Sequence, residues 1–475
     1  MLSAPSKLRD IRRFPGIIHA KTHPKEEAAM KTVQNIVIGF GKGGKTLAKF
    51  LAQQGQEVLV VEKSREMYGG TCINIACLPS KRLITEAARG TDFATAIQGK
   101  REMVAQLRAK NYHMLADEDT ITVLDGTARF TGDHTISVTT ASGQQEFTGE
   151  RIFINTGAQP VIPAIPGLRE SPALLTSTSA MELDSLPQKL VIIGAGYIGL
   201  EFAGMFAEFG AQVTVVDHHQ EFLPREDLDV AAMVKANLEQ RGVTFRLGVS
   251  IDQVATANGQ AQVTISQDGH PDRIPADKIL AATGRRPATA DLGLENTGIA
   301  VDDRGAVKVD DQLHTTVPNV WAIGDVKGGT QFTYISLDDF RIIKDELFGD
   351  GSRRVSNRGA VPTSVFIEPP LAQVGLTEKQ AHAQKQDYLL FKLPVAAIPK
   401  AKVLKDQRGV LKMLVDPQTK LILGATLYAP EAHEIINMVA LAMRAKLPYT
   451  MLRDQIYTHP TISEAFNDLL KKPQE

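Results

Sequence analysis

Cys72 and Cys77 are the two cysteines of the 475-residue chain, and they stand five residues apart in GGTCINIACLPSK. Two thiols this close can exchange a pair of electrons by cycling between dithiol and disulfide. As a structural staple the bridge would do little, because the loop is short and the chain entropy removed grows with loop length. On a regular helix, five residues correspond to about 140° of rotation and about 7.5 Å of rise. Bridged Cα atoms lie about 4.4–6.8 Å apart, so a bridge requires the segment to depart from ideal helix. Spacing alone leaves a second reading open, that of two buried apolar cysteines with no joint task. What surrounds them weighs against it.

The pair follows a glycine-rich nucleotide signature, and that signature occurs twice. NIVIGFGKGGKTLAKFLAQQGQEVLVVEK is matched by KLVIIGAGYIGLEFAGMFAEFGAQVTVVDHH. Each copy reads as a strand, G-x-G-x-x-G, an apolar-faced helix, a turn glycine and a second strand ending in an acid. The glycines are Gly39, Gly41 and Gly44, then Gly194, Gly196 and Gly199. The acids, Glu62 and Asp217, each lie 23 residues after the first glycine of their copy. The first glycine permits a tight turn, the second lets a pyrophosphate approach the backbone, and the third lets helix pack on strand. The helix N-terminus offers unpaired N–H groups and partial positive charge to the phosphates, and the acid hydrogen-bonds ribose hydroxyls. One such motif alone often marks only a tight turn. Two, each with its strands, helix and acid, imply two dinucleotides. A flavin, like a dithiol, handles two electrons, and a nicotinamide supplies hydride. The economical arrangement is FAD in the first site, beside the cysteines, and NAD(P)H in the second.

The remaining segments fit around these units. The first strand is expected over Ile36–Gly39. Residues 100–150, with TITVLDGTARF, TISVTT and QQEFTGE, alternate apolar and polar and predict antiparallel strands added to the first unit. RIFINTGAQP and KILAATGRRP each run a strand into a turn, at Thr156-Gly157 and Thr283-Gly284, where the chain crosses between units. NVWAIGDVKGG contributes Gly324 and Asp325. From about residue 360, strand-like VFIEPPLAQVGLT, GVLKMLVD and LILGATLY alternate with amphipathic HEIINMVALAMRAK and ISEAFNDLLKK, a third, α+β unit without a nucleotide signature.

Apolar content of 43% and charge of 23% suit a soluble globular protein. A net charge of −1 offers no basic field to nucleic acid or to an anionic membrane, and no apolar run is long enough to span a bilayer. A reactive dithiol without a secretory signal fits a reducing cytoplasm. Residues 1–29, rich in scattered charge, read as a disordered extension or a mis-set start ahead of Met30.

From Met30 onward the chain resembles the FAD-dependent pyridine-nucleotide–disulfide oxidoreductases, the family of dihydrolipoamide dehydrogenase, glutathione reductase and mercuric reductase. GFGKGG, Glu62, GGTCINIACLPSK, NTGAQP, GAGYIGLE, ATGRRP, AIGDV and HPTISE occur in the family's order. The resemblance implies an α/β fold of two Rossmann-type dinucleotide-binding domains and a C-terminal α+β dimerisation domain. Its boundaries are 30–158 with 285–355 for FAD, 159–284 for NAD(P), and 356–475 for dimerisation. It also implies roles. Gly39, Gly41, Gly44 and Glu62 match FAD pyrophosphate and ribose contacts, and Thr71, Gly157, Gly324 and Asp325 match further FAD contacts. Cys77 matches the cysteine nearest the flavin, and Cys72 the interchange thiol that meets the substrate. Lys81, beside the flavin, matches the lysine that pairs with Glu201. Gly194, Gly196, Gly199, Asp217 and Gly284 belong to the nicotinamide-nucleotide site, whose pocket Tyr197 covers. His459, with Glu464 behind it, matches an acid–base pair supplied by the other subunit of a homodimer. Ala76 departs from the pattern, since most relatives have glycine there. MYGGTCINIACLPSK, GGTQFTYISLDDFRI, LPVAAIPKAKV and LRDQIYTHPTISEAFNDL resemble a narrower branch, the reactive-chlorine-resistance flavoproteins proposed to reduce copper(II).

A carboxylate at Asp217 accepts a free 2′-hydroxyl and repels a 2′-phosphate. NADPH-preferring relatives place arginines just beyond it, where this chain has His218 and His219, so NADH is the expected donor. The two histidines are expected to be solvated, no metal-ligand set is expected, and His433 is either an exposed helix residue or part of the cleft. Electrons are expected to pass from NADH through FAD to the Cys72–Cys77 couple and on to a small-molecule or metal-ion acceptor. Soft thiolates suit Cu(I), so copper(II) is chemically sensible. No cysteine follows Cys77, which argues against the usual mercuric reductase. Two alternatives stand: a dihydrolipoamide dehydrogenase or glutathione-type disulfide reductase, and a non-catalytic redox-sensing flavoprotein.

Overall fold

The computed structural model describes residues 30–257 and 260–474; the extension expected over 1–29 lies outside the described residues. The first nucleotide signature folds as read. Strand Lys31–Ile38 enters the Gly39 turn, helix Lys42–Gln53 follows, and strand Val58–Glu62 returns parallel to the first. The first strand is longer than Ile36–Gly39 because Lys31, Thr32 and Val33 also pair, with Phe147–Gly149 of strand Gly143–Ile154. That sheet has seven strands. Ile121–Asp125, Val58–Glu62, Lys31–Ile38, Gly143–Ile154 and Val320–Ala322 are parallel, and Thr135–Thr140 and Thr127–Gly132 extend it antiparallel.

The expectation of strands from residue 100 onward fails at its start. Helix Phe93–Ala116 occupies that stretch, capped by the Asp92 carboxylate, which accepts the Thr95 N–H at 3.0 Å. The strand motifs all lie beyond it. REMVAQLRAK lacks turn residues and is rich in helix formers, and Ala96, Ile97, Lys100 and Val104 recur at helical spacing on its buried side.

The second signature builds an all-parallel five-stranded sheet: Val243–Leu247, Gln212–Asp217, Lys189–Ile193, Lys278–Ala281 and Leu174–Leu175. The two crossing points meet in a short antiparallel ribbon, Ala158–Pro160 with Arg285–Pro287. The C-terminal sheet is antiparallel, in the order Thr363–Val365, Leu371–Gly375, Ile422–Tyr428, Val410–Val415, Leu389–Pro394, and helix Ala432–Arg444 packs on it. Leu389–Pro394 is a strand that the sequence reading did not include.

Helix Cys77–Ala88 is anchored outside its own sheet. Leu83 and Ile84 belong to one apolar cluster with Leu200, Phe202 and Phe206 of the second fold and with Leu371 and Val410 of the C-terminal sheet. A charged knot joins the same two parts. Lys412 is fully buried, and its Nζ donates to Asp227 at 2.7 Å, to Asp229 at 3.0 Å and to Glu378. Lys412→Met removes the cation and strands buried Asp227 with no compensating charge. Loss of one partner of a buried pair costs about 3–5 kcal/mol, so a clear drop in the midpoint of thermal unfolding is expected, and an unchanged midpoint would refute this account of the knot.

Candidate active site

Both glycine turns open into one continuous cavity of about 1870 Å³. Gly39 has φ +102°, and a Cβ there would lie 2.4 Å from the Asn155 carbonyl oxygen; Gly194 has φ +109°, with its Cβ position 2.6 Å from the Ala282 carbonyl. Only glycine tolerates both the left-handed backbone and the approach. Gly196 differs: a Cβ there would meet nothing within 4 Å. Its missing side chain leaves room on the open side, which suits the close approach of a pyrophosphate. Gly196 also caps helix Tyr197–Glu208, whose first N–H groups have no intrahelical partner. The residues present therefore fit a dinucleotide at each turn.

The two acids play matching parts. Glu62 accepts the Phe40 N–H at 3.0 Å and Asp217 accepts the Ala195 N–H at 2.6 Å, in each case the residue after the first glycine. Both line the cavity. Burial pushes the Glu62 carboxyl up. At Asp217 burial acts the same way, but the N–H groups of Ala195 and His219 and the His219 imidazole outweigh it and hold the carboxyl below its usual range.

The cysteines lie between the turns. Helix Thr71–Asn74 stops, Ile75 and Ala76 leave helical geometry, and a new helix begins at Cys77. The departure from ideal helix that a bridge requires is thus present at Ile75 and Ala76, with both thiols free. Both cysteines are free thiols lining the cavity. The Cys72 S–H acts as donor to Cys77, which drives the Cys77 thiol well below its usual range against the opposing effect of burial, with help from Lys81 and the Thr333 hydroxyl. The same contact, with burial, drives Cys72 up. Cys77 Sγ lies 3.7 Å from Thr333 Oγ1.

Lys81, one turn along the cysteine helix, bonds Glu201 at 2.6 Å. Glu201 also accepts the Phe366 N–H at 2.9 Å, and the Lys81 ammonium lies 4.7 Å from the centre of the Phe366 ring. Tyr197 lines the cavity with its hydroxyl on Glu226 at 2.6 Å. Thr71, Gly157, Gly284 and Asp325 line it too, and burial pushes the Asp325 carboxyl up. Gly44, Gly199 and Gly324 stand behind the wall, where side chains would collide with Asn155, Gly194 and Ser336. His433 lines the cleft, its ring 5.3 Å from that of Phe366. His459 is elsewhere. Its Nδ1 lies 2.8 Å from Glu464 Oε2, its side chain is 69% exposed, and neither residue borders this chain's cavity.

Sequence reasoning missed Asn155, which organises the first turn. Its side-chain oxygen accepts the Gly44 N–H at 2.9 Å and its amide donates to the Ile323 carbonyl at 2.8 Å. It stands immediately before Thr156-Gly157, so position was the available signal. Thr333 was missed as well, although it lies within the quoted segment GGTQFTYISLDDFRI.

The fold and the paired thiols between two nucleotide turns define an oxidoreductase, and the chain belongs to the pyridine nucleotide-disulphide oxidoreductase family. The model of that family matches residues 33–339, and its dimerisation-domain model matches residues 361–470. Members of this class use FAD and a pyridine nucleotide. The chain is 51% identical, over 93% of its length and 99% of the relative's, to the probable pyridine nucleotide-disulfide oxidoreductase RclA of Escherichia coli strain K12. It is 32% identical to dihydrolipoyl dehydrogenase of Geobacillus stearothermophilus, over 91% of this chain and 94% of that one. Among solved structures, the Cu(II) complex of the HOCl-induced flavoprotein disulfide reductase RclA from Escherichia coli superposes with a TM-score of 0.91, at 51% identity, over 93% of this chain and all of the other. Among the described residues, no helix is long and apolar enough to cross a membrane.

Proposed function

We propose that the protein is an NADH-dependent flavoprotein disulfide reductase whose Cys72–Cys77 couple delivers electrons to copper(II). The observation that carries this reading is the placement of both cysteines in one cavity between two dinucleotide turns, with Cys77 held toward its thiolate. When bound, FAD takes hydride equivalents from NADH and makes them available as electron pairs to sulfur. Gly39, Gly41, Gly44 and Glu62, with Thr71, Gly157, Gly324 and Asp325, are assigned to FAD. Gly194, Gly196, Gly199, Asp217 and Gly284 are assigned to the nicotinamide nucleotide, with Tyr197 over its pocket. Cys77 faces the cofactor and Cys72 meets the acceptor. The dithiol gives up two electrons and two protons to become a disulfide, which balances reduction of two Cu(II) to two Cu(I).

The similarity to a copper-complexed relative and the affinity of soft thiolates for Cu(I) both support this acceptor. Purified protein should reduce copper(II) with NADH faster than it turns over lipoamide or oxidised glutathione. Faster turnover of lipoamide would instead make it a dihydrolipoamide dehydrogenase. The C-terminal unit is assigned to a homodimer, and exposed Leu441, Met451 and Ile456 on it are the apolar residues such an interface would cover.

Donor preference follows from Asp217. Its carboxylate stays ionised, so it accepts a ribose hydroxyl and repels a 2′-phosphate. NADH should exceed NADPH in kcat/KM. Asp217→Asn keeps an acceptor oxygen but removes the charge, and should narrow the ratio by about tenfold, about 1.4 kcal/mol. A ratio unchanged by the substitution would remove Asp217 from donor selection.

A further inference from the structure

At the end of strand Gln212–Asp217 the chain places in succession three side chains of types that can ligate a metal. Asp217, His218 and His219 each present one ligand atom, and the three atoms lie within 4.8 Å of one another. Asp217 Oδ1 is 2.8 Å from His219 Nδ1 and 3.5 Å from His218 Nδ1. A transition dication with ligand bonds of about 2.0–2.2 Å holds neighbouring donors roughly 2.9–3.5 Å apart, so little movement is needed to place one between them. The two imidazole rings lie against each other at a tilt of 41°, with centres 3.8 Å apart, and both are more than half exposed, so a cation from solvent can reach them. The carboxylate is the opposite. Its side chain is only 12% exposed and is fixed through Oδ2 by the Ala195 N–H. One anchored anionic oxygen with two reachable imidazoles is the donor set of a borderline dication such as Zn(II) or Cu(II). The cation would replace the His219 Nδ1 to Asp217 Oδ1 contact of 2.8 Å, with any proton of that imidazole on Nε2.

We propose that Asp217, His218 and His219 form a transition-dication site, distinct from the cysteine pair, at the mouth of the second nucleotide turn. Because all three residues line the cavity, a bound dication and a pyridine nucleotide compete for Asp217. This overlap rests on the assignment of the second fold to the nucleotide. Metal excess would then slow electron entry at residues other than the sulfur couple, where electrons leave.

The test uses FAD-loaded, full-length protein carrying Cys72→Ser and Cys77→Ser, which removes the thiol ligands, and redox-inert Zn(II) as the probe. Calorimetric titration should show one Zn(II) per chain. Adding H218Q and H219Q should weaken that binding by about tenfold or more, with FAD absorbance unchanged as the check on folding. Undiminished zinc affinity in that variant overturns the site. NAD⁺, titrated first without zinc to establish its own binding and then held at saturation, should lower the apparent zinc affinity. Zinc affinity unmoved by bound NAD⁺ overturns the overlap, while failure of NAD⁺ to bind in the first titration strikes the nucleotide assignment alone.

Discussion

Replacing Cys72 by serine is expected to cut acceptor turnover by on the order of 10³-fold, about 4 kcal/mol of lost barrier reduction. Serine keeps the shape of the side chain with a smaller, hard oxygen that can neither bridge to Cys77 nor carry soft-metal or disulfide chemistry. Everything upstream is untouched. Gly39, Glu62 and Asp325 keep the first site, Asp217 keeps the second, and NADH should still reduce the bound cofactor once, anaerobically, at close to the wild-type rate. The signature is therefore a split, with intact electron entry and failed electron exit. Cys77→Ser should fail as well, but with a different pH dependence. In the native pair the contact between the sulfurs lowers Cys77 and raises Cys72. The thiolate is present above the lowered Cys77 value and is lost as pH falls through it, so the acid limb of wild-type activity should report that group and vanish in the serine variant. Full copper(II) reduction by Cys72→Ser would mean that electrons leave without passing through sulfur, and the relay would be wrong.

What the sequence disclosed and what it withheld follow one physical division. The glycine turns, the acids and the cysteine pair are local patterns, in which function requires a residue type at a fixed offset. Gly39 to Glu62 is one βαβ unit, and its geometry follows from helix and strand periods. The break at Ile75 and Ala76 was legible for the same reason, since spacing and bridge length conflict on an unbroken helix. Asn155 and Lys412 were not legible. Asn155 meets Gly44 from 111 residues away, and Lys412 meets Asp227 from 185 residues away. Each is a polar residue whose burial depends on partners that only the folded topology supplies. Helix Phe93–Ala116 was misread for another reason. Its surroundings advertised strands, and its buried residues, Phe93, Ala96, Ile97, Lys100, Val104 and Leu115, form a narrow stripe along one side. The same division explains His218 and His219: their adjacency was visible, but their convergence on Asp217 needed the turn that follows strand Gln212–Asp217.

His459→Ala is expected to lower turnover by about 10²–10⁴-fold, the range lost when a positioned acid–base group is removed. The Glu464 carboxylate at 2.8 Å fixes the imidazole through Nδ1 and leaves Nε2 to handle a proton. Within one chain that proton has no sulfur to meet, because His459 and Glu464 lie outside the cavity that holds Cys72. The homodimer reading resolves this by bringing His459 of one chain to the cysteines of its neighbour, and it makes a quantitative demand. Cys72→Ser and His459→Ala homodimers should both be nearly inactive. Unfolded together and refolded, they should form mixed dimers in which one site has intact Cys72 from one chain and intact His459 from the other, while the second site has neither. Random pairing makes half the dimers mixed and half of their sites intact, so activity should return to about a quarter of wild type. A site complete within one chain recovers nothing on mixing, since every chain in the mixture carries a lesion. Recovery near a quarter would therefore establish both the role of His459 and the need for two chains; no recovery, with mixed dimers demonstrated by mass, would confine each site to one chain, and an active His459→Ala homodimer would return His459 to the status of a surface residue.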